Sequence, residues 1–151
     1  MRICFVCLGN ICRSPAAAAI LRRLAAEEGV DVTVDSAGTS RYHLGEPAHE
    51  HTRAEAARRG IPLDDHRARQ FTAADFDRYD LVVAMDAANR RDLLAIAPDD
   101  EARAKVVLLE LDGEEVEVPD PWGRPPRAYT AMFDLLERAC ADLLRRVTAR
   151  R

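Results

Sequence analysis

The first strand-like segment, residues 2–7, constrains the fold most. Its apolar run Ile3-Cys4-Phe5-Val6-Cys7 is continuous rather than alternating, the pattern of a strand covered on both faces. The chain then turns sharply. Ser14-Pro15 opens a segment with Ile20, Leu21, Leu24 and Ala25 at helical spacing, and Gly29 ends it. Proline suits a first helical turn, serine a cap and glycine a stop. A covered strand feeding directly into a helix is the start of a βαβ unit.

The same alternation continues along the chain. Strands are expected at 30–34, 81–85 and 106–111, and helices at 50–59, 72–78, 86–97 and from 127 to the carboxyl terminus. The last helix carries Tyr129, Met132, Phe133, Leu136, Cys140, Leu143, Leu144 and Val147 on one stripe, so it faces a core. Cys140 lies in that stripe and reads as a small buried hydrophobe. With 151 residues, 48% of them hydrophobic, the chain is expected to be one α/β domain spanning 1–151. Its predicted architecture is a four-stranded parallel sheet with helices on both faces. In such sheets ligands gather beyond the carboxyl ends of the strands, which directs attention to residues 7–14, 36–47 and 112–126.

Charge and cysteine usage narrow the function classes. Lys+Arg is 22 against Asp+Glu 26, a net charge of -4, which gives neither a nucleic-acid footprint nor a reason to expect an anionic membrane as partner. No apolar run approaches the ~20 residues of a membrane helix, and the run at 3–8 is too short for a signal-peptide core, so the expected compartment is the cytoplasm. Cys4, Cys7 and Cys12 cluster, with only Cys140 elsewhere. Cys4-x-x-Cys7 lacks the second pair a zinc site requires, and the spread of a disulfide framework is absent, so reactive thiol chemistry is the better reading. His43, His49 and His51 have no ligand spacing, Asp86 is placed to cap the helix after it, and the acidic run Glu110–Glu117 reads as a solvated face or hairpin tip.

The segment Cys7-Leu8-Gly9-Asn10-Ile11-Cys12-Arg13-Ser14 has the makings of an anion cradle. Amides of a tight strand-to-helix turn converge on one point, and the helix start adds partial positive charge. Arg13 offers a planar fork of donors to two oxygens. Gly9 and Asn10 tolerate backbone conformations closed to other residues. Cys7 ends the strand, so its sulfur is expected to point into the cradle, where the field that holds an anion also stabilises a thiolate. A thiolate at the floor of a phosphate site makes sense if the sulfur attacks phosphorus.

Val6-Cys7-Leu8-Gly9-Asn10-Ile11-Cys12-Arg13-Ser14-Pro15 resembles the phosphate loop of the low-molecular-weight protein tyrosine phosphatases. Ser36-Ala37-Gly38-Thr39, Gly45-Glu46-Pro47, Asp65-His66-Arg67-Ala68-Arg69, Ala84-Met85-Asp86 and Asp120-Pro121-Trp122 match further landmarks of that family in order, so the similarity covers essentially the whole chain. The resemblance implies an α/β phosphatase without metal or cofactor, acting on phosphotyrosine proteins or peptides and releasing inorganic phosphate. It implies Cys7 as nucleophile, Arg13 with the loop residues Leu8 to Ser14 as the phosphate holder, and Asp120 as general acid and then base. Asp120 is also the residue expected on physical grounds, in a loop stiffened by Pro119 and Pro121. Departure of a phenolate from a group of pKa ~10 needs such a donor. The family pattern further implies that Ser14, Ser36 and His66 support Asn10.

Ile11, Tyr42 and Trp122 are candidate apolar walls, although Tyr42 could instead cap the core and His66 could be a surface residue. At Tyr42 the family often has tryptophan, and at Trp122 tyrosine or phenylalanine. A related branch acting on phosphoarginine has threonine where Ile11 stands, so the apolar side chain favours phosphotyrosine. Arsenate reductases of similar fold need further cysteines near the third strand's end, and residues 80–98 have none. A non-catalytic phosphotyrosine-binding module would be expected to lose Cys7 or Asp120. Cys12 is either a packing residue or the partner in a reversible disulfide that protects Cys7.

Overall fold

Side chains alternate faces along a strand, and β1 (Arg2–Cys7) uses this to divide the protein into two cores. Ile3, Phe5 and Cys7 join one cluster with residues of α1 (Arg13–Glu28), α2 (Glu50–Arg58) and α5 (Pro126–Ala149). Cys4 and Val6 point the other way, into a cluster with Phe71, Phe76, Tyr79 and Leu93. This computed structural model describes residues 1–61 and 63–149. The final two residues, which the last helix was expected to include, lie outside the described ones. The stripe read on α5 is buried throughout, Cys140 included. Among the described residues no helix is long and apolar enough to cross a membrane.

The sheet has five strands, in the order β2-β1-β3-β4-β5. β2 (Thr33–Gly38), β1, β3 (Leu81–Ala84) and β4 (Val106–Leu111) are parallel neighbours, and the short β5 (Glu114–Val116) adds an antiparallel edge. The four-stranded expectation therefore needs correction. Asp112 (φ 55) and Gly113 (φ 84) make a two-residue turn that folds the acidic run back as a hairpin. β2 also lies later than expected. Gly29 and Val30 close α1 by donating to Ala26 and Ala25, a left-handed helix stop, so pairing begins only at Thr33. Ser36, Ala37 and Gly38 thus belong to a strand, not a loop.

α1 starts one residue before Ser14, with Cys12 at the cap position and no side-chain cap. Ser14 is freed for the site. The expected cap of α3 (Ala87–Ile96) is present, Asp86 Oδ1 accepting from Asn89 N at 2.8 Å. The expected helix at 72–78 is a 3₁₀ turn, Ala73–Asp77, and a short α4 (Asp100–Ala104) precedes β4. β1 lies where the strand order reverses, with β2 on one side and β3 on the other. Loops diverge at that point and leave a crevice.

Candidate active site

The five residues between β1 and α1 wrap the end of the strand. Asn10 has φ 58, a left-handed conformation that asparagine tolerates better than most residues. It is fully buried. Its Nδ2 donates to Ser14 Oγ (2.8 Å) and Ser36 Oγ (3.0 Å), and its Oδ1 accepts from the Arg69 amide (2.9 Å). Its carbonyl lies 2.6 Å from His66 Nε2, which must donate because a carbonyl only accepts. Burial outweighs that hydrogen bond and lowers the His66 pKa below its ordinary value. Gly38 lies under the loop, where a Cβ would stand 2.8 Å from the Leu8 carbonyl.

This framework leaves the Cys7 sulfur facing donors. Asn10 N donates to Sγ at 3.2 Å, and Ser14 Oγ lies 3.0 Å from it. The N–H groups of Gly9, Ile11 and Cys12 meet no acceptor among the described residues, and these residues line the opening above Cys7. The result is an opening lined with donors above a sulfur.

Arg13 closes the cradle from the β3 side. Its guanidinium donates to Asp86 Oδ2 (2.6 Å) and the Val118 carbonyl (3.1 Å), and stands 3.7 Å from Asp120 Oδ2. Burial pulls its pKa down, but Cys7, Asp86 and Asp120 more than compensate, leaving it above the ordinary arginine value. Asp86 therefore has two roles. One oxygen caps α3 and the other orients Arg13, a partnership that only the adjacency of β1 and β3 makes visible. Asp120 Oδ1 accepts from Trp122 N at 3.1 Å, which leaves Oδ2 on the Arg13 side.

A cleft of about 260 Å³ opens above Cys7. It is lined by Cys7, Leu8, Gly9, Ile11, Cys12, Arg13, Tyr42, His43, Asp120 and Trp122. The expected residues of three distant loops do meet there. Tyr42 and Trp122 are exposed at its mouth (75% and 59%), rather than capping a core. Asn10 and Ser14 stand behind the loop instead of lining the cleft, and Ser36 and His66 brace Asn10. Cys12 is buried, and burial pushes its thiol up to about 12. His43 was not expected at the site. Its ring would lie 2.9 Å from a Cβ on Gly9, and its Nδ1 pairs with Glu46 Oε2 at 2.9 Å. The His-x-x-Glu spacing beside Tyr42 was the available clue.

Residues 2–151 match the family described as low molecular weight phosphotyrosine protein phosphatase. The chain belongs to that family. A low molecular weight protein-tyrosine-phosphatase of Streptomyces coelicolor is 43% identical, over 95% of this chain and 91% of the relative. Among solved members, YfkJ of Bacillus subtilis superposes with TM-score 0.92 at 36% identity, covering 100% of this chain and 96% of that one. Wzb of Vibrio vulnificus, solved with benzylphosphonate, gives TM-score 0.87 at 29% identity over 96% and 97% of the two chains. This phosphatase family thus accounts for the sheet order and the crevice together.

Proposed function

We propose that this protein hydrolyses phosphotyrosine in proteins or peptides through a phosphocysteine intermediate. The observation that carries the reading is the meeting of Cys7 Sγ, the surrounding amides, Arg13 and Asp120 in one cleft. The Cys7 thiolate attacks phosphorus in line. The bond to the tyrosine oxygen breaks as Asp120 protonates that oxygen, and the phosphoryl group passes to sulfur. Asp120, now ionised, takes a proton from water; the resulting hydroxide displaces the sulfur and inorganic phosphate leaves. Arg13 and the amides hold the three equatorial oxygens throughout, so positioning and charge stabilisation do most of the work. Ile11, Tyr42 and Trp122 suit an aromatic ring above the cradle, and the benzylphosphonate held by Vibrio vulnificus Wzb supports an aryl substrate. The apolar Ile11 offers nothing to a guanidinium, which favours phosphotyrosine over phosphoarginine.

Turnover of p-nitrophenyl phosphate is the first measurement. Cys7→Ser should abolish it while vanadate still binds; hydrolysis by that variant would remove the nucleophile assignment. Asp120→Ala should lose about 10²–10⁴-fold on phosphotyrosine and less on p-nitrophenyl phosphate, whose leaving group needs little protonation. Equal losses would argue against Asp120 as the acid.

The same reading covers redox behaviour and location. Peroxide would oxidise the Cys7 thiolate to a sulfenic acid, releasing hydroxide. The Cys12 thiol would then condense with it, losing water and forming a disulfide that thiols reduce. Its high pKa makes Cys12 a slow partner in that step. Thiol rescue after peroxide should be poorer in Cys12→Ser. Four free cysteines, one of them a nucleophile, suit a reducing compartment such as the cytoplasm.

A further inference from the structure

We propose that Arg41, Arg124 and Arg127 form a positively charged collar at the mouth of the cleft, which selects phosphotyrosine segments flanked by acidic residues. The inference rests on the phosphatase reading above and names its substrate class.

The argument begins with how this chain handles its arginines. Most lie against carboxylates: Arg23 on Glu27, Arg58 and Arg59 on Glu55, Arg69 on Asp75, Arg90 on Glu115, Arg146 on Asp142. Arg91 and Arg138 have no direct partner among the described residues, but each shares a hollow with acids. Asp86, Glu117 and Asp120 surround Arg91, and Asp112, Asp134 and Glu137 surround Arg138. Of the exposed arginines without an ion pair among the described residues, Arg2 lies over the Tyr79 ring and Arg67 donates to the His66 carbonyl; Arg41, Arg124 and Arg127 differ. They are exposed, and among the described residues their side chains make no hydrogen bond or ion pair.

Their positions in the chain are not scattered. Arg41 precedes the wall residue Tyr42. Arg124 follows Trp122 by two residues, in a turn closed by its own amide on the Pro121 carbonyl at 2.9 Å. Arg127 is the second residue of α5, directly beyond that turn. The nearest acid on the Tyr42 loop, Glu46, is engaged by His43 at 2.9 Å. Arg41, Arg124 and Arg127 thus stand without an ion pair among the described residues, on or beside the two loops that carry the aromatic walls. Asp120 on the second loop faces Arg13, and the net charge of the chain is -4. A net-negative protein would otherwise repel acidic peptides. A local collar reverses that at the one place where a substrate chain must pass.

Both loops border the cleft on its walls, so residues on either side of a bound phosphotyrosine run past them. Exposed charges act weakly one at a time. Three acting on two or three peptide carboxylates are expected to give about tenfold in kcat/KM at low ionic strength, screened away by salt.

The test compares three synthetic phosphotyrosine peptides, with Asp and Glu, Ala, or Lys flanking the phosphotyrosine, alongside p-nitrophenyl phosphate. The unaltered protein should prefer the acidic peptide over the alanine peptide about tenfold. That ratio should fall toward unity in about 0.5 M salt and in the triple variant Arg41→Gln, Arg124→Gln, Arg127→Gln. A flat ratio, a preference for the lysine peptide, or a ratio retained by the triple variant overturns the collar. In those cases turnover of p-nitrophenyl phosphate leaves the phosphatase reading standing. No turnover of any of the four compounds overturns the phosphatase reading itself, and the collar with it.

Discussion

At the scale of single residues, Asn10 holds the site in shape. A left-handed asparagine is retained because hydrogen bonds over-determine it: it donates to Ser14 and Ser36 and accepts from Arg69 and His66. His66 makes this arrangement sensitive to acid. Burial lowers its pKa in the fold, so the unfolded chain takes the proton first, near the ordinary value of about 6.5. Its contribution to stability is complete above that pH and is lost as pH falls below it. His66→Gln keeps a donor for the Asn10 carbonyl and removes the titration. Its urea midpoint should therefore decline less than that of the unaltered protein between about pH 7 and pH 5. Matching acid limbs in the two proteins would show that His66 does not titrate with folding.

Among the elements, α2 is fastened to α5 by a buried acid. Glu55 accepts from Arg58, Arg59 and Thr130, and Arg59 reaches on to Asp134. Burial alone would raise the Glu55 pKa, but these donors bring it down to about 2. The pair's stabilisation is therefore present above the ordinary carboxylate pKa of about 4.3 and disappears as pH falls through about 2. Glu55→Gln should cost about 2 kcal/mol at pH 7, because Arg59 is left half-buried without its main acceptor. In chemical denaturation the difference should shrink steadily below about pH 4. A cost independent of pH would mean that packing, not charge, fastens the two helices. None of this was legible in the sequence, where Glu55 looks like one charge on a polar helix. Apolar patterning reports which faces are covered, so α1, α5 and the strands β1, β3 and β4 could be read from it. Where β2 begins depends on how α1 ends in space, and the hairpin strand β5 has only three residues. Those elements are decided by tertiary partners. Likewise the Cys7 loop and Asp120 could be picked out as candidates because their residue types suit the proposed chemistry, whereas His43 and the second role of Asp86 depend on which strands are neighbours.

On the scale of the whole molecule, the proposed phosphate site and the fold share one residue. Arg13 is 3% exposed, and its guanidinium joins the start of α1 to Asp86 at the end of β3 and to Val118 after β5. Two acceptors already use one edge of its planar fork and the proposed anion site would use another, which an ammonium group cannot reproduce. Arg13→Lys should therefore lose about 2 kcal/mol of stability, besides its turnover. Ligand binding should reveal the same coupling. Inorganic phosphate at a hundred times its Kd should stabilise the unaltered protein by about 2.7 kcal/mol, because only the folded chain presents the cradle. At the same phosphate concentration Arg13→Lys should gain much less. If the variant unfolds at the same urea concentration and gains as much from phosphate, then Arg13 neither joins the elements nor holds the anion. If it loses stability but keeps the full phosphate gain, Arg13 is a structural link and the amides alone hold the oxyanion.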